Sequence, residues 1–345
     1  MDEANAQDTG EDAAAHARAG EVLPRLPQAD GAMPSTLLLD LAEDARAFAA
    51  AATAPATRRA YASDWRVFTA WCTQHGVVAL PTTPAVVALF LTAQAKAGRR
   101  PSTLERRLAA IGYRHREAGL PPPTAMVGAM AIEQVMRGIR TTLGTTPVRK
   151  RAATADVLRT LLATITGDAL RDRRDRALLA FGFASAMRRS ELSALRVEHL
   201  DWGHDGVRVH IPRSKGDQEG RGRTIAVPRG LRVRPVLALE VWMGAAGITE
   251  GFVFRRVAKG GRVLAAGLSG DAIAQIVKAR AAAAELDPAV FAAHSLRSGF
   301  LTSAAEHRAS LFKMRDQSGH KSLDVLEGYV QAADLFQDHA GAGFL

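Results

Sequence analysis

GVRVHIPRSKGDQEGRGRTIAVP, residues 206–228, is where the texture of this 345-residue chain changes. GVRVHIPRSK and RTIAVP alternate apolar and polar residues, a Gly-rich turn lies between them, and VEHLDW (197–202) precedes them, so the stretch predicts a short antiparallel sheet. On either side the spacing is helical. Upstream, LLLDLAEDARAFAAAAT (37–53), TRRAYASDWRVFTAWCTQHG (57–76), PAVVALFLTAQAKAG (84–98), PSTLERRLAAIGYRHREAG (101–119) and AMVGAMAIEQVMRGIRTTLG (125–144) set apolar residues three and four apart. Gly76, Gly98, Gly119 and Gly144 fall where helix C-caps are wanted. ADVLRTLLATI (155–165) and DRRDRALLAFGFASA (172–186) continue the pattern, and it returns at 231–246, 268–286, 295–307 and 309–318.

The expected fold is therefore mainly α with a small antiparallel β-sheet. Residues 1–36, rich in Asp, Glu, Ala, Gly and Pro, read as a disordered acidic tail, and 37–144 as a domain of four or five helices. TTPVRKRAAT (145–154) reads as a basic linker, 155–338 as a mixed domain and 339–345 as a C-terminal tail. No internal repeat interrupts this plan.

Composition narrows the function. A single cysteine, Cys72, beside apolar residues, excludes an intramolecular disulfide framework and a Cys-rich zinc site and is expected to pack. The ten histidines contain no HExxH, so no catalytic metal is expected. The N-terminus is acidic, without an apolar signal core, and no run of about 18 uncharged apolar residues occurs, which points to a cytoplasmic protein with no membrane span. Net charge is +10, unevenly placed: residues 1–45 hold ten acidic residues and two basic ones, leaving +18 on the rest. Such a surplus attracts a polyanion, nucleic acid first, although an Arg-rich composition alone could also produce it.

Four polar clusters lie beyond residue 180. ASAMRRSELSALR (184–196) puts Arg188 and Glu191 one helical turn apart, the spacing of a common surface ion pair. IPRSKGDQEGRGRTIAVP (211–228) carries Lys215 at a predicted strand end, with Arg213, Arg221 and Arg223 nearby. HSLRSGF (294–300) sets His294 and Arg297 on one face, where an anion between them would offset their repulsion. In SGHKSLDVLEGYV (318–330), Gly319 is placed to end a helix, His320 to lie in the connection and Tyr329 on the next helix, where an aromatic usually packs.

Taken in order, Arg, Lys, His-x-x-Arg, His and Tyr resemble the tyrosine recombinase, or phage integrase, family over residues 40–335. The resemblance implies that the helical domain is that family's SAM-like core-binding domain and that the mixed domain is its α+β catalytic domain. It implies a site-specific recombinase or integrase of the kind mobile elements carry, which cleaves and rejoins DNA without metal, ATP or other cofactor. Tyr329 would be the nucleophile of a 3′-phosphotyrosyl intermediate, conserving the phosphodiester energy in a covalent bond. Arg188 and Arg297 would neutralise the non-bridging oxygens, as planar, permanently charged guanidiniums can. Lys215 would protonate the leaving 5′ oxygen, His294 would act as general acid or base, His320 would hydrogen-bond the scissile phosphate, and Glu191 would orient its neighbours.

This chain departs from the family pattern at Ala186, where Gly is frequent, at Ser298, where His or Arg often stands, and in a longer hairpin around Lys215. Arg58, Arg59, Arg99, Arg100, Arg106 and Arg107, with Arg114 and Arg116, are expected on faces opposite the apolar ones, gripping phosphates. The partners implied are double-stranded DNA and three further copies of the chain in a tetramer, with the segment VQAADLFQDHAGAGFL (330–345) docking on a neighbour. A catalytically silent DNA-binding regulator of the same fold, and a type IB topoisomerase-like nicking and resealing enzyme, are the alternatives.

Overall fold

The computed structural model describes residues 35–146, 150–212 and 222–333. The tail expected over 1–36 lies outside them except for its last two residues, as do Lys215, linker residues 147–149 and the C-terminal tail 339–345. The chain divides into two compact units, Met1–Pro147 and Val148–Leu345.

The first unit is helical: α1 (Thr36–Ala51), α2 (Pro55–Gln74), α3 (Pro84–Lys96), α4 (Pro101–Glu117) and α5 (Met130–Leu143). Proline opens α2, α3 and α4, a position whose N–H has no helical partner to lose. Ser35 caps α1, so that helix begins within the stretch expected to be tail. Phe68, Phe90, Leu91, Leu104 and Ile111 are fully buried, and Cys72 packs among them. Each such large side chain contributes about 1.5–3 kcal/mol. His115 is an internal brace: its Nδ1 bonds the Ile111 carbonyl at 2.8 Å and its Nε2 accepts from the Thr82 N–H at 3.1 Å. Burial holds its pKa below the usual imidazole value.

The second unit contains α6 (Ala155–Ala163), α7 (Leu170–Ala184), α8 (Arg189–Ser193), β1 (Leu200–Trp202), β2 (Gly206–Ile211), β3 (Arg223–Pro228) and α9 (Pro235–Ala246). It continues through β4 (Arg255–Val257), β5 (Val263–Gly267), α10 (Gly270–Ala283), α11 (His294–Glu306), α12 (Leu311–Ser318) and α13 (Asp324–Ala333). β1, β2 and β3 form the expected antiparallel sheet, with Val207 opposite Val227 and Val209 opposite Ile225. Alternation turns Val207, Val209, Ile211, Ile225 and Val227 into the core, where they meet Phe181, Leu239 and Trp242. The Trp242 indole N–H is satisfied by the Val253 carbonyl at 2.9 Å.

Two features differ from the sequence expectation. A second antiparallel sheet, β4–β5, occupies the interval between two helical patterns, and its five-residue strand VLAAG is half-buried to exposed and shows no clean alternation. The helix expected from residue 231 begins at Pro235, because Arg234 adopts a left-handed φ of 48° that breaks the helical path.

One close approach organises this unit. The chain at Ala153 lies directly on α11, its N–H bonding the Ser295 carbonyl at 2.9 Å, and the next helix start is tied down by Ala155 N–H to Ser303 Oγ at 2.8 Å. A Cβ on Gly299 would lie 1.8 Å from the Ala153 carbonyl oxygen, so only glycine fits there.

Candidate active site

The end of α12 gathers three arginines of the second unit. Gly319 ends that helix in the left-handed conformation (φ 65°), turning the chain so that the last carbonyls point into the unit. Three consecutive carbonyls each take a different arginine. Arg223 Nη1 donates to the Gln317 oxygen at 2.9 Å, Arg297 Nη1 to the Ser318 oxygen at 2.6 Å, and Arg188 Nη2 to the Gly319 oxygen at 2.8 Å. The arginines come from β3, α11 and the residue before α8. The partial negative charge of a helix C-terminus favours such company.

One carboxylate stands among them. Glu191, its side chain 2% exposed, accepts from the Arg188 backbone N–H (2.9 Å), from Arg188 Nη1 (2.8 Å) and from Arg223 Nη2 (3.1 Å). Burial alone would raise its pKa, but these donors outweigh burial and hold it below the ordinary carboxylate value. Arg297 is 1% exposed and also donates to the Ala186 carbonyl at 2.6 Å. Burial, then the nearby Arg188, lowers its pKa to about 10, leaving it cationic at neutral pH.

Ala186, the position where glycine was noted as frequent, has φ 49°. An L-residue is strained there by about 1–2 kcal/mol, and the conformation aims its carbonyl at Arg297. Ser298, the other departure, is buried and returns its hydroxyl to the carbonyls of His294 and Ser295 at 3.2 Å.

Two imidazoles complete the cluster. His320 follows Gly319 and is half-buried, its Nδ1 2.7 Å from Ser318 Oγ. Since that hydroxyl already donates to the Met314 carbonyl at 2.6 Å, Nδ1 carries the proton and Nε2 accepts from Arg297 Nη2 at 3.2 Å. Burial, then Arg297, Arg188, His294 and Arg223, push the His320 pKa down to about 4. His294, the first residue of α11, is exposed in area, yet partial desolvation and then Arg297 and Arg188 lower its pKa too. Both rings are therefore mainly neutral at pH 7. Three guanidiniums against one carboxylate leave a positive surplus, which an anion presenting several oxygens, such as a phosphate, would balance.

Tyr329 lies on α13, half-buried against a small core of Leu301, Ala305, Met314 and Leu326. It is near enough to Arg297 that a phenolate there would favour the charged guanidinium. The structure thus brings together Arg188, Glu191, His294, Arg297 and His320, with Tyr329 alongside; Lys215 lies outside the described residues. Arg223 was noted in sequence only as a basic neighbour of Lys215. The signal that separates it from the exposed arginines is its position as the first residue of an alternating strand.

In the first unit, Arg58, Arg59, Arg99, Arg100, Arg106 and Arg116 are exposed and Arg114 is half-buried. Arg107 is not on an exposed face, contrary to the expectation. It is 7% exposed, bonded to Gln94 and paired with the buried Asp64 at 3.7 Å, while Arg106 bonds the same carboxylate at 2.7 Å. Asp64, one turn from Phe68 on α2, needs a cation to be buried, and helical spacing alone does not show that demand. Among the described residues no group of three or more His, Cys, Asp or Glu could hold a metal ion, and no helix is long and apolar enough to cross a membrane.

Residues 151–335 match the model of the phage integrase family. The chain is 35% identical over 291 residues to an integrase/recombinase xerD homolog of Selenomonas ruminantium, covering 82% of this chain and 84% of that one. It is 25% identical over 317 residues to recombinase cre of Escherichia phage P1, covering 86% and 88%. In fold it is similar to a lambda integrase dimer bound to a COC′ core site, with a TM-score of 0.54 at 17% identity over 86% of this chain and 95% of that one. A XerH site-specific recombinase bound to a palindromic difH substrate is similar to the same degree, 0.54 at 17% identity, over 74% and 70%.

Proposed function

The chain belongs to the phage integrase family and is a tyrosine recombinase, and from that premise we propose that it cuts and rejoins double-stranded DNA at specific sites through a phosphodiester bond to Tyr329. The observation that carries the reading is the convergence of Arg188, Arg223 and Arg297 on one helix end beside two neutral imidazoles, with Tyr329 on the following helix.

The Tyr329 oxygen attacks the scissile phosphorus. A phenol, with an ordinary pKa near 10, must lose its proton as it attacks, and a neutral imidazole is a competent acceptor at pH 7. His294, held below its usual pKa, has that role. The negative charge of the transition state spreads over the non-bridging oxygens and is met by Arg188 and Arg297, whose geometry is set before DNA arrives. His320 hydrogen-bonds the same phosphate through Nε2 once that nitrogen is protonated, which the incoming negative charge favours. Lys215 protonates the departing 5′ oxygen, and the 3′-phosphotyrosyl bond keeps the energy needed for rejoining. Because fixed guanidiniums provide the positive charge and the covalent bond stores the energy, the reaction uses neither metal nor ATP.

Glu191 holds Arg188 in place. Arg58, Arg59, Arg99, Arg100 and Arg106 contact phosphates, giving affinity with little sequence information. Strand exchange takes four copies around two duplexes, the segment after Ala333 docking on a neighbour. That the similar solved recombinases are described bound to DNA supports the choice of partner.

The test is covalent capture. A random-sequence library of nicked duplexes, in which the released fragment diffuses away after cleavage, yields the substrate sequence by sequencing the trapped DNA. Tyr329→Phe should abolish the covalent product while leaving DNA affinity within a few-fold of wild type. Product persisting in that variant sinks the assignment. Full-rate relaxation of supercoiled DNA lacking the recovered sequence, by a monomer, would favour the topoisomerase-like alternative.

A further inference from the structure

The three arginines do not stand in equivalent places. Arg188 and Arg297 donate to the carbonyls of Gly319 and Ser318, the two residues before His320, whereas Arg223, the first residue of β3, donates to Gln317, one residue further back. From there it makes two bonds that tie separate parts of the cluster together. Nη2 reaches Glu191 Oε2, the oxygen that also accepts the Arg188 backbone N–H, and Nη1 reaches the Gln317 carbonyl at the end of α12. Its Nε is buried and has no partner among the described residues, because that edge of the guanidinium lies flat on Gly319. A Cβ at residue 319 would be 2.8 Å from Arg223 Cζ and Nε.

Gln317 completes the joint. Its side-chain amide donates to the Ala184 carbonyl at the end of α7 (3.0 Å) and to the Ala226 carbonyl of β3 (3.1 Å). β3, the end of α7 and the end of α12 are thus fastened at one point, from which the chain continues to His320.

We propose that Arg223 is a positioning residue for strand cleavage. It sets Arg188 through Glu191, and His320 through the Gln317–Gly319 turn. The proposal rests on the reading of the second unit as a phosphotyrosyl-forming site. Arg223 acts through protein partners: Nη1 holds Gln317, Nη2 holds Glu191, and the covered Nε edge rests on Gly319. Its effect falls on the rate of cleavage and not on affinity. Misplacing reacting groups by about 1 Å costs roughly 10²-fold in rate.

The test compares the full-length wild-type chain with Arg223→Gln and Arg223→Lys on the nicked duplex recovered by covalent capture. Arg223→Gln should keep DNA affinity within about threefold and slow covalent complex formation by about 10²-fold. Arg223→Lys, which keeps a cation but can reach only one of the two acceptors, should fall between. The pH profile separates positioning from simple loss of fold. Around Glu191 stand Arg188 and Arg223, with Arg297, His294 and His320 beyond them. Removing Arg223 takes away one of the two cations that bond the carboxylate, so its pKa rises and the acid limb of the cleavage profile moves to higher pH. Arg223 also helps to hold the His320 pKa down, so its removal raises that group as well, and both effects move the acid limb the same way.

A variant that cleaves at the wild-type rate overturns the proposal. So does a loss that tracks the unfolded fraction with an unmoved acid limb. If Arg223→Gln does not fold, Arg223→Lys decides by the same two readouts. Failure of the underlying reading is recognisable separately, since the wild-type chain would then form no covalent complex at all.

Discussion

Replacing Glu191 with Gln probes the electrostatic frame of the site, because one carboxylate holds two guanidiniums apart. The side chain is 2% exposed, against 21% for Arg188 and 18% for Arg223. Gln keeps the shape but removes the charge, and its amide must turn an N–H toward one of three donors: the Arg188 N–H, Arg188 Nη1 or Arg223 Nη2. Breaking a buried ion pair by removing one partner costs about 3–5 kcal/mol, and the partial exposure of both arginines points to the lower end. For a unit of this length, each kcal/mol shifts the melting temperature by about 2–4 °C. Scanning calorimetry should therefore show the transition of the second unit lowered by about 6–12 °C at pH 7. The sign of the pH dependence follows from the depressed pKa of Glu191: its contribution is complete above the unfolded value, near 4.3, and fades as pH falls through the lower folded value. The gap between wild type and variant should therefore narrow in acid, and inorganic phosphate should stabilise the variant more than the wild type. A shift under about 2 °C at pH 7, or a gap that widens in acid, would refute the reasoning.

Other perturbations bear on separate parts of the account. Gly299→Ala drives a methyl group into the Ala153 carbonyl, so the 150–155 segment must lift from α11; hydrogen exchange at the Ala153 amide should accelerate and stability should drop by about 1–3 kcal/mol, and unchanged protection would contradict the contact. Ala186→Gly relieves a φ of 49° and should stabilise by up to about 1 kcal/mol, whereas Ala186→Val should destabilise; denaturant titration distinguishes the two. His320 has a folded pKa of about 4 against about 6.5 unfolded, so its contribution is present above pH 6.5 and is lost as pH falls toward 4. His320→Gln should flatten the stability profile across that window, and an equally steep profile in the variant would show that other groups govern it.

Much of this architecture is legible in the sequence because its causes are local. Apolar spacing, opening prolines and terminal glycines locate the helices of the first unit, and alternation locates β2 and β3, since the pleat demands it. What escapes is set by non-local packing. VLAAG becomes a strand because Arg255–Val257 pairs with it. Arg107 lies on a face that helical spacing reads as polar, yet Asp64 of another helix draws it inside. Arg223 looks like one more hairpin cation until the fold brings Glu191 and Gln317 to its two ends. Ala186 carried a faint signal as a departure from glycine, but its meaning, a left-handed carbonyl aimed at Arg297, exists only once α11 is in place. The residues at 188, 294, 297, 320 and 329 stand out as a set through their order, and their mutual distances come from the turn at Gly319.

The central claim is that the Tyr329 oxygen takes the DNA phosphate. Its most direct test is peptide mapping by mass spectrometry of the covalent complex trapped on a nicked duplex, after nuclease and protease digestion. The account predicts a nucleotide adduct on the peptide containing Tyr329, joined through the phenolic oxygen to a 3′ phosphate. An adduct on any other side chain, or one joined to a 5′ phosphate, would contradict it.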